Sequence, residues 1–93
     1  MLESELESKV VKLCKLYNLV TYKFSSPSNR GVPDRIIICK GSVLFLELKQ
    51  RGKKPTRLQL HEIERIRSAG CKADWADTYD RASSIILRHV VLS

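Results

Sequence analysis

Two apolar segments joined by a short turn constrain the fold of this chain more than any other feature. Residues 34–39 and 42–49 are rich in β-branched and apolar side chains, and only Lys40-Gly41 separates them. A two-residue connection of this kind is typical of a tight β-hairpin. With such a turn Cys39 pairs with Ser42, and each further pair lies one residue outward along both strands. The sequence therefore predicts the register of the hairpin as well as its existence.

This register predicts that Asp34 lies directly opposite Glu47. Opposed side chains in an antiparallel pair share one face, with Cβ atoms roughly 5 Å apart, and like charges there destabilise the sheet. A divalent cation with oxygen ligands offsets such repulsion. Lys49 follows Glu47 by two residues, so it points to the same face and can stabilise charge on a phosphate. The alternatives are a three-residue turn, which would turn the acids to opposite faces, and an ordinary Glu-Lys ion pair on a solvated strand.

The other segments predict a mixed α/β domain around the hairpin. Apolar spacing predicts a helix from about Glu3 to Tyr17, and alternation over residues 20–24 predicts a strand with one buried face. Further helices are expected at about 57–69 and 80–88, with a short strand at 73–76. The order is helix, three strands, helix, strand, helix. All 93 residues are expected to form a single domain with one core.

The charge balance favours a polyanionic partner. Seventeen Lys and Arg against ten Asp and Glu give a net charge of +7, and clustered basic residues are what phosphate contacts require. For each basic residue the alternative is a charge that only contacts solvent. The candidate phosphate contacts are Arg30, Arg35, Lys53, Lys54 and Arg57.

Cysteine usage and the N-terminal residues predict a soluble protein inside the cell. The first residues are acidic where a signal peptide would be positively charged, and no apolar run is long enough for a membrane helix. Cys14, Cys39 and Cys71 are widely spaced and form no C-x-x-C pair. We interpret them as buried thiols in a reducing compartment, and we expect no membrane association.

Several motifs resemble those of a known nuclease superfamily. Pro33-Asp34 followed by Glu47-Leu48-Lys49 resembles the PD-(D/E)XK pattern, and the sequence as a whole is similar to stand-alone VRR-NUC (virus-type replication-repair nuclease) domains of phages and bacteria. The resemblance covers nearly the whole chain. The motifs that carry it are Lys23-Phe24, Ser26-Pro27, residues 30–35, residues 45–49, residues 52–56 and Gln59.

The resemblance implies a fold, a reaction and a metal site. The implied fold is a restriction-endonuclease-like α/β core, with a mixed sheet flanked by helices. The implied reaction is Mg²⁺- or Mn²⁺-dependent hydrolysis of phosphodiester bonds. In this scheme Asp34, Glu47 and the backbone carbonyl of Leu48 hold the metal, and Lys49 is the catalytic lysine.

Two further site residues follow from the resemblance with alternatives left open. The superfamily often adds a carboxylate from the first helix, and we prefer Glu7 as a catalytic residue and metal ligand, with Glu3 as the alternative. Either acid could instead only favour the helix N-terminus electrostatically. Gln59 is expected near the active site, although Thr56 and Gln59 also fit a capping box. Both roles of Gln59 are compatible.

The leading functional hypothesis is a structure-selective DNA endonuclease that acts in replication, recombination or repair. The resembled group implies a homodimer that resolves four-way (Holliday) junctions, in the cytoplasm of a bacterium or a phage-infected host cell. One alternative is a nuclease that processes flaps or ends within a larger assembly. Another is a non-catalytic DNA-binding module, but loss of a carboxylate or of the lysine would then be expected.

Overall fold

The structure is a computed structural model, and it describes residues 1–92. The predicted order of helices and strands is confirmed, and the last helix continues into a π-helical turn at Leu87–Val91. The elements in chain order are α1 (Glu3–Leu16), β1 (Val20–Lys23), β2 (Arg35–Cys39), β3 (Ser42–Leu48), α2 (Arg57–Ser68), β4 (Lys72–Ala76) and α3 (Tyr79–Ile86).

The four strands form one mixed sheet in the order β1-β2-β3-β4. The pairs β1–β2 and β2–β3 are antiparallel, and β3–β4 is parallel. Helices α1 and α3 pack on one face, and α2 packs on the other. The predicted mixed sheet flanked by helices is therefore confirmed.

The hairpin turn has the geometry that the sequence predicts. Lys40 has φ 48° and Gly41 has φ 85°, and two successive left-handed residues characterise the type I′ turn. Cys39 pairs with Ser42, and the ladder continues to Arg35 opposite Leu46. The predicted register is confirmed over the whole of β2.

The main core lies between the sheet and the helices α1 and α3. Leu44, Leu46 and Leu48 point to this side of β3 and are almost completely buried. Leu6 of α1 and Ile86 of α3 pack in the same cluster. Because β3 is central and the core residues alternate along it, the opposite face of β3 is left for the polar side chains of its C-terminal end.

The prediction that the apolar side chains of β1 form a buried face is wrong. Val20 and Tyr22 are 46% and 62% exposed, whereas Thr21 turns inward and its hydroxyl donates to the carbonyl of Ile36. The physical reason is that β1 is an edge strand and that α2 packs against β4, at the other edge of the sheet. Apolar alternation predicted the strand, but coverage by α2 determines which face is buried.

The cysteine prediction is correct in part. Cys14 is buried, Cys39 is half-buried and Cys71 is exposed, and all three are free thiols. The interpretation as buried thiols is thus wrong for Cys71, which is exposed and lies directly before β4. Within residues 1–92, no helix is both long enough and apolar enough to cross a bilayer.

Candidate active site

Asp34 and Glu47 lie side by side at one end of the β2–β3 hairpin. Asp34 immediately precedes β2, and one further step of the observed register sets it opposite Glu47. The Asp34 carboxylate accepts a hydrogen bond from the Leu48 amide, 3.3 Å from N to Oδ1. The Asp34 carbonyl accepts from the Phe24 amide at 2.8 Å. Both neighbouring strands therefore fix the position of Asp34.

Burial makes this pair of acids electrostatically unfavourable. Glu47 is only 4% exposed. Desolvation, and then the negative charge of Asp34, raise the pKa of Glu47 to about 8. Desolvation also raises the pKa of Asp34 to about 6, although the hydrogen bond from Leu48 opposes this shift. The site therefore favours a proton or a cation between the two carboxylates.

Lys49 and Gln59 both approach the same oxygen of Glu47. The Lys49 ammonium lies 3.8 Å from Oε2, and the Gln59 amide nitrogen lies 3.5 Å from it. The capping box of α2 is present. The backbone amide of Gln59 donates to the Thr56 hydroxyl, and the backbone amide of Thr56 donates to the side-chain oxygen of Gln59. This second bond turns the NH₂ group of Gln59 towards Glu47. The helix cap and the contact with the site thus coexist.

Glu7, the preferred carboxylate of α1, is already engaged in ion pairs. The Glu7 carboxylate is bound by Arg35, with Nη1 2.9 Å from Oε2, and lies 3.7 Å from the Lys23 ammonium. The charge of Glu3 contributes to the raised pKa of both Asp34 and Glu47, whereas that of Glu7 contributes only to Asp34. Glu7 therefore belongs to an ion-pair network with Arg35 and Lys23, and the choice between Glu7 and Glu3 as a metal ligand stays a prediction.

Arg35 does not lie where a phosphate contact requires it. Its side chain is only 9% exposed, points towards α1 and pairs with Glu7. A guanidinium buried in this way is not presented to a DNA backbone. The expectation of a phosphate contact is corrected for Arg35, since strand alternation turns it away from the face that carries Asp34.

The remaining basic candidates are exposed. Lys53, Lys54 and Arg57 lie in and after the loop that joins β3 to α2, and Arg30 lies in the exposed loop before β2. The β3–α2 loop is held in place because the Gly52 amide donates to Asp77 Oδ2 at 3.0 Å. Sequence reasoning did not single out this anchor, because no local pattern links two residues 25 positions apart.

The donor atoms at the hairpin end fit a hard divalent cation. Among the residues 1–92, no three His, Cys, Asp or Glu side chains are grouped closely enough to form a metal site by themselves. Mg²⁺, however, commonly binds through one or two carboxylates and takes its other ligands from water and substrate phosphate. The carboxylates of Asp34 and Glu47, with the carbonyl of Leu48, supply oxygen donors of the suitable type.

Comparisons with known proteins find similarity to a curated protein and to solved structures. The sequence is 37% identical over 82 residues to "Putative nuclease p44" of Acyrthosiphon pisum secondary endosymbiont phage 1, and this match covers 87% of the chain and 88% of that protein. No family model matches the sequence.

Two solved structures share the fold of this chain along almost their whole length. One, described as "VRR_NUC domain", superposes with a TM-score of 0.82 at 24% identity and covers 94% of this chain and 95% of its own. The other, described as "VRR_NUC domain protein", has a TM-score of 0.81 at 24% identity and covers 100% and 91%. The α/β architecture around Asp34 and Glu47 is therefore one that both solved domains have.

Proposed function

The chain belongs to the VRR-NUC nuclease family, and from this premise we propose that it hydrolyses phosphodiester bonds in DNA with Mg²⁺ or Mn²⁺ as cofactor. The observation that carries the proposal is the pair of the half-buried Asp34 and the buried Glu47, with Lys49 beside Glu47. Desolvation, and then the negative charge of Asp34, raise the pKa of Glu47 to about 8, so a divalent cation would stabilise the two ionised carboxylates.

Asp34, Glu47 and the carbonyl of Leu48 would hold the cation. A bound cation would supply Lewis-acid chemistry, which would polarise a phosphate oxygen and make water more acidic. All three donors are oxygen atoms, which suits Mg²⁺ and Mn²⁺ better than softer metals. The proposal needs no covalent enzyme intermediate.

The other residues of the site act by position and charge. The Lys49 ammonium is within 3.8 Å of Glu47 and is suited to stabilise the negative charge that develops on the phosphate. Gln59 donates to Glu47, and the Leu48 amide donates to Asp34. These two bonds orient the carboxylates before substrate binds, as supporting hydrogen bonds do at many metal sites.

The exposed basic residues support DNA as the substrate. Lys53, Lys54 and Arg57 are exposed and follow Lys49 closely in the chain, and the chain carries a net charge of +7. Contacts of this type neutralise phosphates without reading the base sequence. This suits a nuclease that selects DNA by shape.

Branched DNA and a homodimer stay predictions at this point. A symmetric dimer would supply two active sites for the paired incisions that a four-way junction needs. A nuclease that processes flaps or ends would prefer those substrates to a four-way junction. A cleavage experiment that compares the substrates distinguishes the two activities.

The decisive experiment incubates the purified chain with labelled four-way junction, flap and linear duplex DNA in Mg²⁺, Mn²⁺ or EDTA. We expect cleavage with either metal, none in EDTA, and loss of cleavage in Asp34→Asn and Glu47→Gln. The matched control is Glu64→Gln, which neutralises an exposed acid on α2 outside the site. DNA binding without metal-dependent cleavage of any substrate would contradict the proposal and favour a non-catalytic DNA-binding module.

A further inference from the structure

The outer edge of the sheet, along β4, carries arginine side chains from the helices on both faces. Strand β4 is an edge strand, so alternate carbonyls of its backbone point away from β3. Arg67 of α2 donates from Nε to the Ala73 carbonyl at 2.7 Å, and Arg81 of α3 donates from Nε to the Trp75 carbonyl at 2.9 Å. Both bonds hold a guanidinium group against the outer edge of β4.

The Arg81 guanidinium is fixed in position but not neutralised. It lies over the Trp75 ring, with Cζ 4.4 Å from the ring centroid. Its Nη2 lies 3.9 Å from Asp74 Oδ1, an oxygen that also lies 3.5 Å from Arg67 Nη2 and accepts from the Trp75 amide. Within residues 1–92, Nη1 of Arg81 has no hydrogen-bond partner, and the side chain is 46% exposed.

A polar depression of about 260 Å³ lies between β4 and α3, beside this guanidinium. It is lined by Asp74, Arg81, Ser84, Ile85 and Arg88. Arg88 is exposed, and no hydrogen bond or ion pair engages it in the part of the chain that the structure describes. The depression therefore presents two guanidinium groups and a hydroxyl, and all of these donate to phosphate oxygens in complexes with DNA.

The depression lies at the level of the candidate active site. Trp75 is the residue of β4 that pairs with Glu47 of β3. Neighbouring strands lie about 4.8 Å apart, so a guanidinium bonded to the outer side of Trp75 is on the order of 10 Å from Glu47. Each strand of duplex DNA carries a phosphate about every 3.4 Å along its axis. A few nucleotides therefore span the separation between the two sites.

We propose that the depression lined by Arg81, Ser84 and Arg88 binds a backbone phosphate of the DNA substrate, a few nucleotides from the bond that is cut. This inference rests on the proposed function, because it presumes that DNA is the substrate. Arginines along an edge strand also prevent pairing with a strand of another molecule. That role accounts for the bonds of Arg67 and Arg81 to β4, but it does not account for Arg88.

The depression adds a second contact surface to the exposed cations of the β3–α2 loop. The two surfaces adjoin, because Asp77, directly after β4, accepts from the Gly52 amide of that loop at 3.0 Å. DNA that contacts both surfaces is held in one orientation relative to Glu47, whereas contact with the loop alone allows rotation about it.

The first test measures binding of a labelled linear duplex by fluorescence anisotropy in EDTA at increasing salt. Arg81→Gln with Arg88→Gln should weaken binding and reduce the slope of log K against log salt by about one, as expected for one lost phosphate contact. Lys12→Gln with Lys15→Gln removes two exposed cations from α1 and is the matched control, which should keep its slope. An unchanged slope in the arginine variant, or an equal loss in both variants, would overturn the proposal.

A single variant separates DNA binding from protection of the sheet edge. Arg88→Gln changes an exposed side chain that bonds to no other residue among residues 1–92, so it should melt at the temperature of the unchanged chain. It should still weaken DNA binding, and Arg88→Lys, which keeps the charge, should restore most of the affinity. Normal DNA affinity of Arg88→Gln would show that Arg88 contacts no phosphate and that the proposal is wrong.

The second test locates the contact on whichever labelled DNA the unchanged chain cleaves best. A methylphosphonate removes the charge of one phosphate at a time on either side of the cut. At one position within a few nucleotides, it should raise the DNA concentration that gives the half-maximal cleavage rate. In Arg88→Gln the same change should have a smaller effect, because the two groups interact. Equal effects in both proteins at every position would contradict the proposal.

Failure of this inference and failure of the proposed function give different results. Variants with the normal salt slope and normal metal-dependent cleavage would exclude the phosphate site and leave the nuclease proposal intact. An unchanged chain that binds DNA through Arg81 and Arg88 but cleaves no substrate with Mg²⁺ or Mn²⁺ would support the phosphate site and contradict the nuclease proposal. Absence of DNA binding would overturn both.

Discussion

At the scale of single residues, the main electrostatic feature of the site is the raised pKa of Glu47. Its pKa is about 8 against an ordinary value of 4.5, and that of Asp34 is about 6 against 3.8. The folded chain therefore binds these protons more tightly than the unfolded chain does. Without metal, the free energy of unfolding should fall as the pH rises from about 4.5 to about 8, because the unfolded chain releases these protons at lower pH than the folded chain does.

Chemical denaturation across this pH range, in EDTA, measures the effect. Glu47→Gln removes the titrating group and the repulsion, so it should flatten the pH dependence and be the more stable protein at pH 8. Glu64→Gln should retain the slope of the unchanged chain, because Glu64 is exposed and outside the site. An equal slope in the unchanged chain and in Glu47→Gln would show that burial does not act on Glu47 as described.

At the scale of elements, the N-terminal cap of α2 both stabilises the helix and orients a side chain of the candidate active site. Thr56 caps the helix and holds Gln59 in the orientation that reaches Glu47. Thr56→Ala should lower the free energy of unfolding by about 1 kcal/mol and also slow DNA cleavage. Thr78→Ala is a matched control, since Thr78 caps α3 with a 3.1 Å bond from the Arg81 amide. It should lose similar stability with little change in cleavage rate, whereas equal slowing in both variants would contradict the link.

Local features of the fold were predictable from the sequence, whereas contacts between distant segments were not. The hairpin register follows from two adjacent turn residues, so the opposition of Asp34 and Glu47 was predictable from local chemistry. The capping box of α2 was predictable for the same reason. The pairing of Glu7 with Arg35 was not, because the two residues are 28 positions apart and meet only when α1 packs on the sheet. The exposed face of β1 likewise depends on where α2 lies.

At the scale of the whole molecule, the proposed function predicts that the distribution of positive charge affects how DNA binds. Lys53→Ala with Lys54→Ala removes two exposed charges from the β3–α2 loop. DNA affinity should therefore fall, and the slope of log K against log salt should decrease by about two. Fluorescence anisotropy in EDTA measures both quantities. Lys12→Ala with Lys15→Ala makes the same change in net charge towards the C-terminal end of α1. It should change affinity and slope much less, and equal effects of the two pairs would indicate attraction by net charge alone.

The central claim is that Asp34 and Glu47 form a divalent-metal site that cuts DNA. Single-turnover cleavage of a labelled four-way junction, measured as Mn²⁺ is increased from zero, tests it most directly in the unchanged chain and in Glu47→Gln. We predict a rate that rises from zero and saturates in the unchanged chain, and no detectable cleavage in Glu47→Gln at any Mn²⁺ concentration. Cleavage that does not depend on Mn²⁺, or a Glu47→Gln variant that cuts at the normal rate, would contradict the claim.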